Sequence, residues 1–360
     1  MTTRLLLCAL CLGAGLVVPG QPLVGQAVEP RQPVERTELG GRVHMQLATT
    51  SVDSVPQSEF LLRRARIWAA ARLNDWIDAA VQVDMAKGEV SGRYAFVRFE
   101  LDPALFVSIG QLKRAFDLFE LTSSSEILAI ERDGSIAGVT DCAGIGGVCS
   151  YSRFSERLAQ SSLDVGILAT GVLAAGEITY LATFTNGSGA NARETNNAKS
   201  FAGRLEWSPV DRLRIGGNYG SHDYINEVTG LTDRAPAAAF DVEWGDFAEG
   251  LHLQAGIMTG ENWRALDDTG SSPLFLTYQG IVTYRVPLAD PGKVVAVEPV
   301  GRVSWGDPDR ATARDGGWLL TPGLMLHFGG RNRLSANLDM WRPQTGSAVW
   351  GLKVLTAVYF

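Results

Sequence analysis

The chain ends on the stretch SAVWGLKVLTAVYF, residues 347–360, whose side chains alternate in character with a period of two. One parity is apolar with an aromatic residue at each end, Trp350 and Phe360, whereas the other carries Lys353 among smaller residues. Roughly ten alternating residues with aromatic ends are typical of a strand that crosses a bilayer in a closed barrel, one face toward lipid and one toward the lumen. An edge strand of a soluble sandwich alternates similarly, so this stretch alone does not distinguish a membrane barrel from a soluble sandwich.

The N-terminus has the pattern of a secretory signal peptide. Arg4 precedes an apolar core over residues 5–18, and small residues suit cleavage after Ala27. Beyond the first thirty residues, no apolar run approaches the roughly 20 residues that a membrane helix needs. A membrane location would therefore require a barrel.

Only two cysteines, Cys142 and Cys149, remain after such a cleavage. In an exported protein, the spacing CAGIGGVC most simply predicts a loop disulfide. A zinc site would need two more ligands, and none of the four histidines is near in sequence. We therefore predict the disulfide and no metal or cofactor.

From residue 38 onward the sequence divides into short alternating segments joined in turn by short and long links. The sixteen predicted strands are 38–49, 59–73, 77–85, 93–101, 105–112, 163–172, 176–186, 198–208, 212–221, 236–244, 251–259, 273–286, 293–305, 317–328, 332–341 and 347–360. An even count with this asymmetry predicts an all-β, antiparallel transmembrane β-barrel with short periplasmic turns and long extracellular loops.

A propeller or double sandwich is the soluble alternative to this barrel. The outward parities carry almost no charge over all sixteen segments, which disfavours a sheet that faces water. One of the predicted long links is 222–235, which would place His222 in a loop. The predicted organisation is thus a signal peptide over 1–27, a short periplasmic segment over 28–37 and a barrel over 38–360.

Residues 38–135 resemble the phosphate-selective porin O and P family. The resemblance rests on EFLLRRARIWAAARLNDWIDAAVQVDMA, residues 59–86, and on AFVRFELDPALFVSIGQLKRAFDLFELTSSSEILAIERD, residues 95–133. It implies a homotrimeric outer-membrane channel of a Gram-negative organism, whose third extracellular loop folds into the lumen over about 113–160 and narrows it. It also implies that Phe360 matches the aromatic residue that the barrel-assembly machinery recognises.

A diffusion channel needs no nucleophile, only charges placed where an ion passes. By parity, inward arginines are candidates for anion contact, because the guanidinium fork binds two oxygens at once. Lys113 falls on the lysine position of the family motif, and Arg114 follows it. The candidates are Arg42, Arg64, Arg66, Arg72, Arg98, Lys113 and Arg114. The alternative is that inward acids such as Asp78, Asp84 and Glu100 pair with the arginines and brace the wall.

The sequence predicts a porin for small hydrophilic solutes, with anions such as phosphate favoured, in contact with outer-membrane lipid and lipopolysaccharide. Two other classes stay open, a barrel enzyme that hydrolyses lipids and an adhesin or structural barrel. A hydrolase would want a histidine with a nearby serine on the lipid side, whereas His44, His252 and His327 fall on the lumen parity. No phosphate loop or nucleic-acid patch is present.

Overall fold

The computed structural model describes residues 36–86 and 88–360. The predicted signal peptide and most of the predicted segment 28–37 lie outside the described residues. Within those residues, no helix is long and apolar enough to cross a membrane.

Sixteen antiparallel strands close into one barrel, in which each strand pairs with its sequence neighbours and β1 pairs with β16. The strands are β1 Arg36–Thr49, β2 Ser58–Asn74, β3 Ile77–Asp84, β4 Ser91–Asp102, β5 Leu105–Lys113, β6 Leu163–Leu173, β7 Ile178–Thr185, β8 Ser200–Val210, β9 Leu213–Ile225, β10 Thr232–Trp244, β11 Gly250–Glu261, β12 Leu274–Pro287, β13 Val294–Asp307, β14 Gly317–Phe328, β15 Arg333–Pro343 and β16 Val349–Tyr359. The helices are α1 Leu118–Leu121 and α2 Tyr151–Arg157, and Ala174–Gly176 forms a 3₁₀ turn.

The side chains of β16 show why these segments form strands. Lys353, Leu355 and Ala357 are buried on the inner face, while Trp350 and Val358 are exposed on the outer face. The predicted alternation is therefore present, with apolar residues directed outward, as a barrel wall in lipid requires. The Phe360 amide donates to the Gly41 carbonyl at 3.1 Å and the Gly41 amide to the Phe360 carbonyl at 2.8 Å, which extends the β1–β16 seam.

One predicted link is much shorter than expected. Strand β9 continues to Ile225 and β10 begins at Thr232, so residues 226–231 form the loop in place of 222–235. His222 consequently lies within β9, where it pairs with Ala235, and not in a loop. Polar residues such as His222 and Asp223 suggest a loop in the sequence. In the structure both are buried inside the barrel and form hydrogen bonds there.

The link between β5 and β6, residues 114–162, is here called the inward segment because it lies inside the barrel. Its fully buried Phe116, Tyr151 and Phe154 belong to one apolar cluster with the wall residues Met258 and Phe275. Phe154 stacks on Phe275 with ring centroids 4.9 Å apart. The inward segment thus packs against the wall like the core of a soluble domain, which holds it in one place.

Candidate functional site

Arginines on β13 and β15 bind the backbone of the inward segment. Arg302 on β13 donates to the carbonyls of Glu131 and Arg132 at 2.7 and 2.8 Å. Arg333 on β15 donates to the Ser125 carbonyl at 2.6 Å. Hydrogen bonds from charged donors are stronger than neutral ones, so residues 125–132 are fixed to this side of the barrel.

The contact between the inward segment and β2 is made by Glu131, which accepts hydrogen bonds from Arg63 and lies 3.8 Å from Arg64. Burial raises the pKa of this carboxyl, but the charges of Arg63 and Arg64 and the hydrogen bond from Arg63 outweigh burial and lower the pKa to about 2. Glu131 is therefore ionised at neutral pH and bridges the inward segment to β2.

Between the inward segment and the wall of β1–β5 lies a cavity of about 510 Å³, the basic cavity. Residues Leu121 to Ser125 line one side, and strand residues including Trp68 and Tyr94 line the other. Its charged lining residues in the described chain are six cations and one acid, namely Arg42, Arg66, Arg93, Lys113, Arg132, Arg331 and Glu120. The cavity thus carries an excess of positive charge.

Carboxylates hold only some of these cations. Arg66 donates to Asp84 at 2.6 Å, and Lys113 lies 3.0 Å from Glu120. The Nε atoms of Arg42 and Arg93, by contrast, are buried without a hydrogen-bond partner in the described chain. A buried donor without a partner is costly unless water or a ligand binds it. Both arginines line the cavity, and neither forms an ion pair with a carboxylate of the described chain.

The predicted residues Arg72 and Arg98 lie elsewhere on the inner wall, near the short turns. Arg72 lies 3.0 Å from Glu100, and Arg98 lies 2.5 Å from Asp78. Together the four side chains form a ladder of alternating charge across β2, β3 and β4. This is the wall-bracing arrangement that the sequence had left open.

Arg114, predicted beside Lys113 as a pore residue, is only 1% exposed and lines none of the described cavities. Its guanidinium donates to Asp164 at 2.8 Å and lies 3.1 Å from Nδ1 of His222. The chain turns into the barrel immediately after β5, so Arg114, the first residue of the inward segment, packs against β6 and β9 and not against a cavity. Arg64 is likewise buried, against His44 and Glu131.

Period-two alternation does not predict Arg63 and Arg93 as inward-facing residues, because each lies at a β-bulge. The register of β1 with β2 passes from His44–Arg64 to Met45–Leu62, so Arg63 has no partner. The register of β3 with β4 passes from Gln82–Tyr94 to Val83–Gly92 and leaves Arg93 as the extra residue. A bulge re-aims a side chain, and here both point arginines inward. The signal in the sequence is the charge itself, because an arginine at a lipid-facing position is costly.

Cys142 and Cys149 form a disulfide, with Cα atoms 5.0 Å apart, inside the apolar cluster of the inward segment. Nearby, Asp117 caps α1 by accepting a hydrogen bond from the Phe119 amide at 3.0 Å. Burial, and next the charge of Glu120, raise the pKa of the Asp117 carboxyl to about 8. It is therefore mostly protonated at neutral pH.

A closed sixteen-strand antiparallel barrel, with apolar residues outside and charged residues inside, defines an outer-membrane β-barrel channel. The chain belongs to the phosphate-selective porin O and P family, whose profile matches residues 38–234. It is a porin of the outer membrane that forms a diffusion channel.

Solved structures show the same fold at low sequence identity. The anion-selective porin from Comamonas acidovorans aligns at a TM-score of 0.65 with 13% identity, over 90% of this chain and 99% of that one. The outer membrane channel DcaP of Acinetobacter baumannii aligns at 0.61 with 10% identity, over 89% and 97%. The outer membrane protein OmpT of Vibrio cholerae, in a trimer form, aligns at 0.58 with 11% identity, over 90% and 99%. No curated protein matches the chain by sequence.

Proposed function

We propose that this porin passes small anions, phosphate among them, in preference to cations, through the basic cavity between the inward segment and β1–β5. The observation that carries the proposal is the six-to-one excess of cations among the charged residues that line this cavity. In a confined, low-dielectric passage such an excess lowers the free energy of anions and raises that of cations. The family name and the anion-selective relative from Comamonas acidovorans support the same preference.

Reversal potentials across a planar bilayer test this selectivity. With a tenfold KCl gradient, the purified porin should give a reversal potential of the sign that chloride sets. Replacing chloride with phosphate at equal ionic strength should keep that sign. A potential of the sign that potassium sets would overturn the proposal.

Within this proposal the roles of the predicted residues differ. Arg42, Arg66 and Lys113 contact the solute in the basic cavity, together with Arg93. Arg64 positions the inward segment through Glu131, and Arg72 and Arg98 brace the wall. The inward segment, close to the predicted 113–160, narrows the passage because it fills the side of the lumen opposite the basic cavity.

We also propose that the protein has no catalytic role. The pair that most resembles a hydrolase is Ser200 and His222, with Oγ and Nδ1 3.2 Å apart. The neighbouring acid, Asp223, accepts its hydrogen bond from Ser200, and the histidine faces Arg114. A histidine base needs an acid that orients it and stabilises its positive charge, and an arginine does the opposite.

The remaining proposals concern export and assembly. Residues 1–27 act as a cleaved signal peptide and 28–37 largely as a short periplasmic segment, with β1 beginning at Arg36. Phe360 is the residue that the barrel-assembly machinery recognises. The barrel contacts lipopolysaccharide and forms a homotrimer, which the trimer form of OmpT from Vibrio cholerae supports.

A further inference from the structure

A second cavity, of about 260 Å³, lies under the inward segment toward the short turns and is here called the turn-side cavity. It adjoins the basic cavity, because Ser125 and Arg331 line both. A solute that leaves the basic cavity toward the short turns therefore meets the turn-side cavity next.

One part of its lining is apolar. Ile127 and Leu128 of the inward segment face Met325 of β14 and Phe247 of the turn between β10 and β11. The Phe247 ring packs edge-on against His252 with centroids 4.4 Å apart, which fixes its orientation. A hydrated inorganic anion gains nothing from such a surface, whereas an apolar group gains about 25 cal/mol for each Å² that it buries there.

The other part supplies guanidinium donors. Arg333 donates to carbonyls of the inward segment through both terminal nitrogens, and its buried Nε has no partner in the described chain. Nη1 of Arg285 donates to the Phe247 carbonyl at 2.8 Å. The acids are already engaged, since Glu298 lies 2.7 Å from Nε2 of His327, and Glu126 lies 3.4 Å from Arg331.

We propose that the turn-side cavity is a second solute site, which binds a carboxylate attached to an apolar ring or chain. The carboxylate lies against the guanidinium groups of Arg285 and Arg333, and the apolar body lies between Leu128, Met325 and Phe247. A cavity of roughly 150 Å³ is enough for benzene, so about 260 Å³ accommodates a ring with its carboxylate. The proposal rests on the proposed function, because the solute reaches this site through an anion-conducting passage.

Block of the chloride current by benzoate, acetate and phosphate tests this site in planar bilayers. For the unmodified porin, benzoate should block at a concentration about tenfold lower than acetate, because only benzoate fills the apolar part. Arg285→Gln should raise the half-blocking concentration of benzoate about tenfold, since it removes a charged hydrogen-bond donor. Phe247→Ala should weaken block by benzoate and leave block by acetate unchanged.

Arg98→Gln is the matched control, because it removes the same charge from another arginine of the inner wall near the short turns, which pairs with Asp78 at 2.5 Å and does not line the turn-side cavity. It should leave the benzoate block unchanged. Equal block by benzoate and acetate, or equal shifts in the Arg285 and Arg98 variants, would overturn the second site even if the channel is anion-selective. A cation-selective reversal potential of the unmodified porin would instead overturn the proposed function.

Discussion

At the residue scale, Glu131 links the inward segment to β2 through two positively charged partners, Arg63 and Arg64. Glu131→Gln removes the charge that Arg63 and Arg64 face, so the free energy that holds this contact should fall by about 1–3 kcal/mol. We expect noisier single-channel currents and faster hydrogen exchange over residues 125–132. Glu126→Gln is the control, because its pair with Arg331 is largely exposed and worth little. Equal effects of the two substitutions would contradict this role of Glu131.

Asp117 makes the inward segment sensitive to pH. Its pKa in the folded state, about 8, lies above the unfolded value. The stability that it contributes is therefore complete below the unfolded pKa, near 4, and declines as pH rises until it is lost above about 8. Asp117→Asn keeps the side-chain oxygen that caps α1 and removes the titrating proton. Amide hydrogens of this variant should therefore exchange at the parent's rate at low pH and more slowly than the parent's at pH 9. The comparison is hydrogen exchange of residues 114–125 in both proteins at each pH, and equal exchange at pH 9 would contradict the shift.

Single residues also mark the limit of what the sequence predicted. Arg42, Arg66 and Lys113 line the basic cavity, and their inward position was predictable from period-two alternation and one family motif. Arg93 and Arg63 were missed, because a bulge inserts one residue and reverses parity locally without any change in composition. Arg114 was misplaced, because the direction in which the chain leaves β5 depends on the fold of the next fifty residues.

At the element scale, the disulfide closes a short loop inside the inward segment. Cys142→Ser with Cys149→Ser should lower the local stability of residues 136–155 by about 2–3 kcal/mol, as expected for a loop of this length. Hydrogen exchange there should quicken by roughly one to two orders of magnitude, while exchange in β1–β5 stays constant. Unchanged protection over 136–155 would show that the apolar packing alone holds this part.

The strands themselves were predictable, because each must alternate over a fixed length to cross the bilayer. The one large error, over 222–235, arose where alternation is lost, because Gly220 to Tyr224 of β9 are buried on both faces. There β9 and β10 still pair through backbone hydrogen bonds, which any side chain allows.

At the scale of the whole molecule, the seam between β1 and β16 closes the barrel and ends at Phe360. Deleting Phe360 removes two backbone hydrogen bonds to Gly41 and an exposed aromatic ring that covers this glycine. We expect severalfold less folded barrel in the outer membrane, as measured by heat-modifiable migration on gels, with normal conductance of each inserted channel. Normal assembly, or altered conductance with normal assembly, would contradict an assembly role.

Period-two alternation predicted the barrel and its strand count, and the family resemblance added a loop directed inward. It did not give the route that solutes take, because the position of the basic cavity depends on which wall the inward segment packs against. That choice rests on the apolar cluster with Met258, Phe275 and Trp341, which are far apart in sequence from Phe154 and Tyr151.

The most direct test of the solute route is the anion-to-cation permeability ratio of the double variant Arg42→Gln with Arg93→Gln, taken from reversal potentials in KCl gradients. Its control is Arg310→Gln with Arg314→Gln, which removes the same charge from the exposed loop between β13 and β14. Removing two uncompensated charges from the passage should lower the ratio at least about threefold, while the control keeps the ratio of the parent. Equal ratios in the two double variants would contradict a path through the basic cavity.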